Sequence, residues 1–327
     1  MRVKRFDGVS VTATSSALPG EPVPTEVLGL DTVELLRLTG VRARHIAPPE
    51  LATSDLVIAA IRGLAGGAPD RLFVATMTPD TLSPATAPLV QHGLGWPQMP
   101  AMDLAAACAG FVYGLDLAAR AVATGDDAVI VAAGECRVRT LVDASPGVRV
   151  LFGDGAVAAR VTRTPVSGKH LRIDAIGLTA DGRGHGNVQV PAGGSRLPTS
   201  HATVSAGQHA LRMIDGPHVF FEAIEGFVDL ANAFLSAVGL TVGDLDLIVP
   251  HQPNLRILER VARGLRVPLD RFAIEVDAIG NIGGASVGIA LDRAWRAGLI
   301  GRGAKVLLLA PGAGYTGGVA LLEGCEP

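Results

Sequence analysis

Lysine is almost missing from these 327 residues. Lys4, Lys169 and Lys305 are the whole supply, and nearly every cation is arginine. The net charge is only −3. Without a basic excess or a basic stripe, no nucleic-acid surface is expected. The three cysteines, Cys108, Cys136 and Cys325, are odd in number and form no CxxC. They make no disulfide framework, and a reducing, cytoplasmic setting is expected. The basic N-terminus, MRVKRFDGVSVTATSS, runs into no continuous apolar stretch, so no secretory leader is read there. Two long stretches lack Asp, Glu, Lys and Arg. Pro84, Pro88, Pro97 and Pro100 break the first, and Pro311 with four glycines breaks the second. Neither reads as a membrane span. The eight histidines show no HExxH or comparable spacing, so no metal centre is expected.

What is present is 48% hydrophobic residues, enough for a large core and too many for a disordered chain. The apolar runs are short: LFVATM (72–77), AVIVAAG (128–134), LDLIVP (245–250) and KVLLLAP (305–311). Runs apolar almost throughout suit strands buried on both faces. Helical patterns lie between them, over 109–124, 217–238 and 287–299. Alternation of this kind predicts an α/β chain with layered sheets. Pro, Ser, Gly and Lys cluster in VTRTPVSGKHL (161–171), which marks a boundary between two similar lengths. Residues 181–205, rich in Gly, Ser, Pro and His, read as a long surface loop or lid over a site. A faint echo links AACAGFVYGLDLA (106–118) to GGASVGIALDRA (283–294).

Four places could carry chemistry. Cys108 follows a strand-like AMDLA and precedes a long helix. A helix start favours a thiolate, and the surrounding Ala and Gly let substrate approach. Read alone, the position fits a nucleophile and a buried core cysteine alike. His251 is delivered to the end of an apolar strand, where sites form in open sheets. It fits a donor or base there, and equally a satisfied core histidine. Asn281 lies between glycines ahead of a helix, a turn or cap whose amide could also donate to a carbonyl. Gly312, Gly314 and Gly317 match GxGxxG after a strand, but too little chain follows for a dinucleotide site. A tight turn aiming a backbone N–H at a site is the better reading.

In order, AACAGF, LFGDGA (151–156), VPHQPNLRI, GNxxxAS and the terminal glycine turn resemble the β-ketoacyl-acyl-carrier-protein synthase III family. The resemblance runs from TGVRARHIA (39–47) through TPDTLSPATA (78–87) to the C-terminus. It implies the thiolase fold, with duplicated βαβαβαββ halves in five α-β-α-β-α layers. The expected halves are 1–165, carrying the nucleophile, and 166–327, carrying His and Asn. It implies a homodimer, no cofactor, and an acyl-CoA or acyl-carrier thioester as substrate. Cys108 would be acylated, with the backbone N–H groups of Cys108 and Ala313 as the oxyanion hole. His251 and Asn281 would stabilise the enolate left when a malonyl-carrier thioester loses CO₂. Acyl carrier protein is the implied partner. Arg256 matches a docking arginine, and Arg260 and Arg263 follow it at helical spacing, as a docking face or as a solvated one.

The departures are local. Where family members clamp coenzyme A with a Trp and two arginines, this chain has Glu34, Leu38 and Pro146. Arg37 and Arg149 lie nearby but off register. A glutamate loses the stacking surface and repels phosphates, which favours a carrier-bound acyl donor. Pro311 and Gly317 stand where Phe and Trp are usual, which predicts a roomier acyl pocket and a specialised, natural-product role more readily than housekeeping fatty-acid initiation. Two alternatives remain: a same-fold acyltransferase acting on a hydroxyl or amine, and a non-catalytic homologue serving as dimer partner.

Overall fold

The computed structural model describes residues 1–28, 32–141, 144, 146–165 and 167–326. Two successive blocks of chain build the same object. The first is β1 (Val9–Ala17), α1 (Thr53–Arg62), β2 (Arg71–Ala75), α2 (Thr86–Gly93), β3 (Ala101–Leu104), α3 (Gly110–Ala123), β4 (Ala128–Glu135) and β5 (Gly155–Arg163). The second is β6 (His170–Thr179), α4 (Gly216–Val238), β7 (Leu247–Pro250), α5 (Leu255–Leu265), α6 (Ser286–Arg296), β8 (Lys305–Pro311) and β9 (Gly317–Cys325). The first block runs β3-β2-β4-β5-β1 across its sheet. The second runs β7-β8-β9-β6 in the same sense, and a lone parallel bridge, Ile248 to Phe272, stands where its third strand would lie. The first block is βαβαβαββ, and the second follows the same order with its third strand reduced to that bridge. β1 and β6 pair antiparallel at Ser10–Arg172 and Val11–Leu171, joining the two sheets edge to edge along this seam. The halves expected from sequence meet at 165/166, beside Val166, which lies outside the described residues.

The expected elements form because their patterns leave little choice. β4 is buried at every position but its first, and β8 at all but its two ends. Strands covered on both faces need the continuous Val, Ile, Leu and Ala that these carry. α4 starts at Asp215, whose carboxylate accepts the His218 N–H at 3.0 Å, and stops at Gly239 with φ +78°.

α3 and α6 form the middle layer. α3 touches β2, β4 and β5 on one side and β6 and β9 on the other. α6 lies against β1 and β5 and against β7 and β8. α1 and α2 cover the outer face of the first sheet, and α4 and α5 that of the second. The faint sequence echo falls on the two middle helices. It brings Asp116 into register with Asp292, both buried, and each pairs with an arginine four residues on, Arg120 at 2.6 Å and Arg296 at 2.8 Å. In that register Gly284 is the counterpart of Cys108.

Helices enclosed by two sheets have no room to spare. A Cβ on Gly288 would lie 2.6 Å from Val157 and 3.1 Å from the Phe111 ring. Gly288→Ala is therefore expected to destabilise the protein by about 1–3 kcal/mol through overpacking. Denaturant unfolding checks this, and an unchanged midpoint would contradict the close packing of the middle layer.

Candidate active site

The N-terminal ends of α3 and α6 meet. Ahead of α3 the chain makes a 3₁₀ turn, Ala107–Ala109, with Cys108 at its centre and only partly exposed. Ala107 takes a left-handed φ of +46°, a conformation that costs a non-glycine residue roughly 1–2 kcal/mol. The turn is hemmed in from the second half. A Cβ on Gly284 would lie 2.8 Å from the Ala107 carbonyl, and one on Gly312 would lie 2.9 Å from the Cys108 nitrogen. Glycine at both positions lets two backbones close around the sulfur.

The backbone N–H groups of Ala313 and of Cys108 itself both hydrogen-bond toward the sulfur and favour a thiolate, as does Arg137. Burial opposes them and is the larger effect. Together with the nearby Glu135 carboxyl it pushes the Cys108 thiol up to about 11. Burial thus favours the neutral thiol, against the helix start and its N–H donors, which favour a thiolate. Desolvation of the charged form outweighs two N–H donors. The sequence had given no sign of Glu135, which comes from the end of β4 and is only 1% exposed. Its carboxyl accepts the Met77 N–H at 3.0 Å and the Thr78 hydroxyl at 2.8 Å, and pairs with Arg137 at 3.2 Å.

His251 stands directly after β7, 3% exposed, its backbone N–H on the Leu309 carbonyl at 2.8 Å. Burial lowers its ring to about 3, with the Gly283 backbone pulling the other way. Burial thus favours the neutral ring, and its Nδ1 has no hydrogen-bond partner among the described residues. Asn281 turns its Oδ1 to the Gly283 N–H at 2.9 Å. That bond fixes the amide and leaves the NH₂ end to donate into the site. Cys108, His251, Asn281 and Ala313 are thus gathered around Gly283–Gly284 and Gly312.

The other motif residues hold this arrangement. Asp154 of LFGDGA accepts the N–H groups of Ala47 and Val138, each at 2.9 Å. Asn281 is stitched to the same motif by its N–H on Leu151 at 2.7 Å and its carbonyl under the Gly153 N–H at 3.1 Å. Gln252 is fully buried and saturated. It donates to the Pro250 and Ala273 carbonyls and accepts from the N–H groups of Glu275 and Val276, all within 3.0 Å. Asn254 caps α5 through the Arg256 N–H at 2.7 Å.

The three arginines of α5 lie outside this cluster. Arg256 donates to the carbonyls of Leu36 and Arg37, at 3.2 and 2.9 Å, and pairs with Glu259 at 2.7 Å. Arg260 stacks over Phe220 and Phe221, and Arg263 reaches the Glu259 carbonyl at 3.3 Å. The space at Gly317 is not open either: a Cβ there would lie 2.7 Å from Thr179 and 3.0 Å from Leu230. The glycine there opens no space of its own. Among the described residues no group of three or more His, Cys, Asp or Glu is arranged to hold a metal ion. No helix there is long and apolar enough to cross a membrane.

Family models for 3-oxoacyl-[acyl-carrier-protein] synthase III match residues 102–182, and those for its C-terminal part match 235–323. A β-ketoacyl-[acyl-carrier-protein] synthase III of Caldanaerobacter subterraneus subsp. tengcongensis is 40% identical over 285 residues, 85% of each chain. The chain belongs to the 3-oxoacyl-[acyl-carrier-protein] synthase III family. Among solved structures, the synthase III of Pseudomonas aeruginosa superposes with a TM-score of 0.86 at 32% identity, covering 97% of this chain and 98% of that one. A priming β-ketosynthase from the R1128 polyketide pathway gives the same score and identity, covering 100% and 99%. The thiolase fold of the synthase III family is thus shared along nearly the whole chain.

The neutral thiol makes a direct prediction for this synthase III relative. Below a pKa of about 11 the thiolate fraction grows about tenfold per pH unit. Alkylation of Cys108 by iodoacetamide, with Cys108→Ala as blank, is expected to climb at that slope from pH 7 to pH 10. A plateau below pH 8 would contradict it.

Proposed function

We propose that this chain condenses an acyl group, held as a thioester on Cys108, with a malonyl unit presented on acyl carrier protein. The reading is of a synthase III condensing enzyme serving fatty-acid or polyketide assembly. The thiol of Cys108 attacks the donor thioester through an oxyanion bound by the N–H groups of Cys108 and Ala313. The donor leaves as a free thiol, taking the cysteine proton. The malonyl thioester then loses CO₂, and the electron pair becomes an enolate on its carbonyl oxygen. His251 and Asn281 donate to that oxygen. The enolate carbon attacks the acyl-cysteine, giving a β-ketoacyl thioester and, after uptake of one proton, the free cysteine.

The observation that carries this reading is the neutrality of the His251–Asn281 pair. A ring neutral down to about pH 3 and a fixed amide supply hydrogen bonds without a proton to quench the carbanion. A transferase acting on an alcohol needs a base held by a carboxylate, and among the described residues His251 makes no such contact.

The acyl donor in this reading arrives on a carrier protein. Glu34 and Arg37 close on each other at 2.6 Å, and the Arg256 guanidinium is bound to two carbonyls and Glu259. An adenine nucleotide with its phosphates needs free cations and a flat ring, and the short helix Thr32–Thr39 offers neither. The side chain of Pro146 lies outside the described part. Carrier docking falls to the exposed Arg260 and Arg263, with Arg256 holding the face in shape. The first half, 1–165, supplies the nucleophile, and the second, 166–327, supplies His and Asn. The active form is a homodimer. In support, β3 ends the sheet, and Met102 on it is an exposed apolar residue, as are Met77, Leu82 and Leu89, with Leu82 86% exposed.

Intact mass spectrometry with acyl-CoA and acyl-carrier donors tests the chemistry, with Cys108→Ala as control and malonyl-carrier protein added second. Loading of Cys108, faster from the carrier, then discharge to a β-ketoacyl product is expected. Native mass spectrometry of the sample is expected to show two chains. An adduct that persists against malonyl-carrier protein would point instead to acyl transfer onto another acceptor.

A further inference from the structure

The turn that carries Ala313 is an unstable shape held from two sides. Gly314 and Tyr315 take consecutive left-handed φ values of +68° and +48°. Tyrosine has no intrinsic preference for that region, and its cost must be met by contacts elsewhere. The Gly312 N–H closes the turn on the Thr316 carbonyl at 2.7 Å. On one side the Thr316 hydroxyl lies 3.2 Å from the Ala106 carbonyl, which ties the turn to the loop of Cys108.

On the other side stands a polar cluster that no motif predicted. The Tyr315 hydroxyl donates to the Glu222 carboxylate on α4. Asn187 gives its amide to the second Glu222 oxygen at 2.8 Å and to the Tyr315 oxygen at 3.1 Å. His218 flanks the first oxygen at 2.9 Å. Gly184 lies flat against the phenol ring, so close that a Cβ would overlap it. One side chain thus pins the turn to α4 and to the segment after Asp181, which the sequence marked as a lid.

We propose that Tyr315 is a positioning residue for acyl transfer: through Glu222 and Asn187 its hydroxyl holds the 312–316 turn so that the Ala313 N–H faces the oxyanion formed at Cys108. This rests on the acyl-cysteine reading above and goes beyond it. The hydroxyl touches neither the sulfur nor the acyl group and acts through the turn. A donor in an oxyanion hole is worth about 10²–10³ in rate, so loosening one without deleting it costs part of that.

The test compares two reactions of one sulfur. Acylation by a thioester passes through an oxyanion, whereas alkylation by iodoacetamide does not. Tyr315→Phe keeps the ring on Gly184 and removes the hydroxyl. Its single-turnover acylation of Cys108 is expected to fall about tenfold or more, with half-saturation by the donor within about twofold and alkylation unchanged. Glu222→Ala, on another element, is expected to give the same split, and the double variant no further loss. Unchanged acylation in both variants overturns the proposal. So does a parallel fall in acylation and alkylation, which marks a turn that has merely collapsed. A wild-type protein that no thioester acylates, though iodoacetamide alkylates it, overturns the acyl-cysteine reading itself.

Discussion

Two buried helices that must begin at one point set the rest of this structure. α3 and α6 lie between two sheets, and their N-terminal turns abut at Ala107–Cys108 and Gly283–Gly284. Neither turn could approach the other with a side chain at Gly284, nor could the β8–β9 turn approach with one at Gly312. On the proposed reading, the duplicated fold delivers a nucleophile from one half and its hydrogen-bond donors from the other. No loop has to reach across solvent for this.

Burial at that junction decides the chemistry. It raises the Cys108 thiol and lowers the His251 ring, which favours the uncharged form of each. In a buried site, fixed N–H and amide dipoles act at high strength, and their orientation is set before substrate arrives. The same burial makes the supporting bonds expensive to lose. Asp154, Gln252 and Asn281 are each tied to backbone groups on other elements. A buried polar group left without its partner costs about 1–3 kcal/mol, so motifs that look catalytic in the sequence are largely motifs of backbone anchoring.

Local pattern carried most of the fold. The strand 305–311 was legible to the residue, because a run apolar at every interior position has one place to go. The helix starts at 110, 216 and 286 fall within one residue of the helical patterns expected from 109, 217 and 287. Cys108, His251, Asn281 and Ala313 became visible as a set through the order of the motifs. Long-range partners were not legible. Glu135 reaches Met77 and Thr78 across 57 to 58 residues, and Tyr315 reaches Glu222 across 93 and Asn187 across 128. Nothing in a single sequence marks such pairs. Arg256 shows the converse: its place in PHQPNLRI was plain, but not that carbonyls of the Thr32–Thr39 helix occupy its guanidinium.

The central claim is geometric: an acyl group on Cys108 places its carbonyl oxygen between two backbone N–H groups drawn from different halves of the chain. A crystal structure of the Cys108-acylated protein tests it most directly. The account predicts the thioester oxygen within about 2.7–3.1 Å of both the Cys108 and the Ala313 nitrogens. A thioester oxygen turned away from Ala313, toward Glu135 or open solvent, would contradict it.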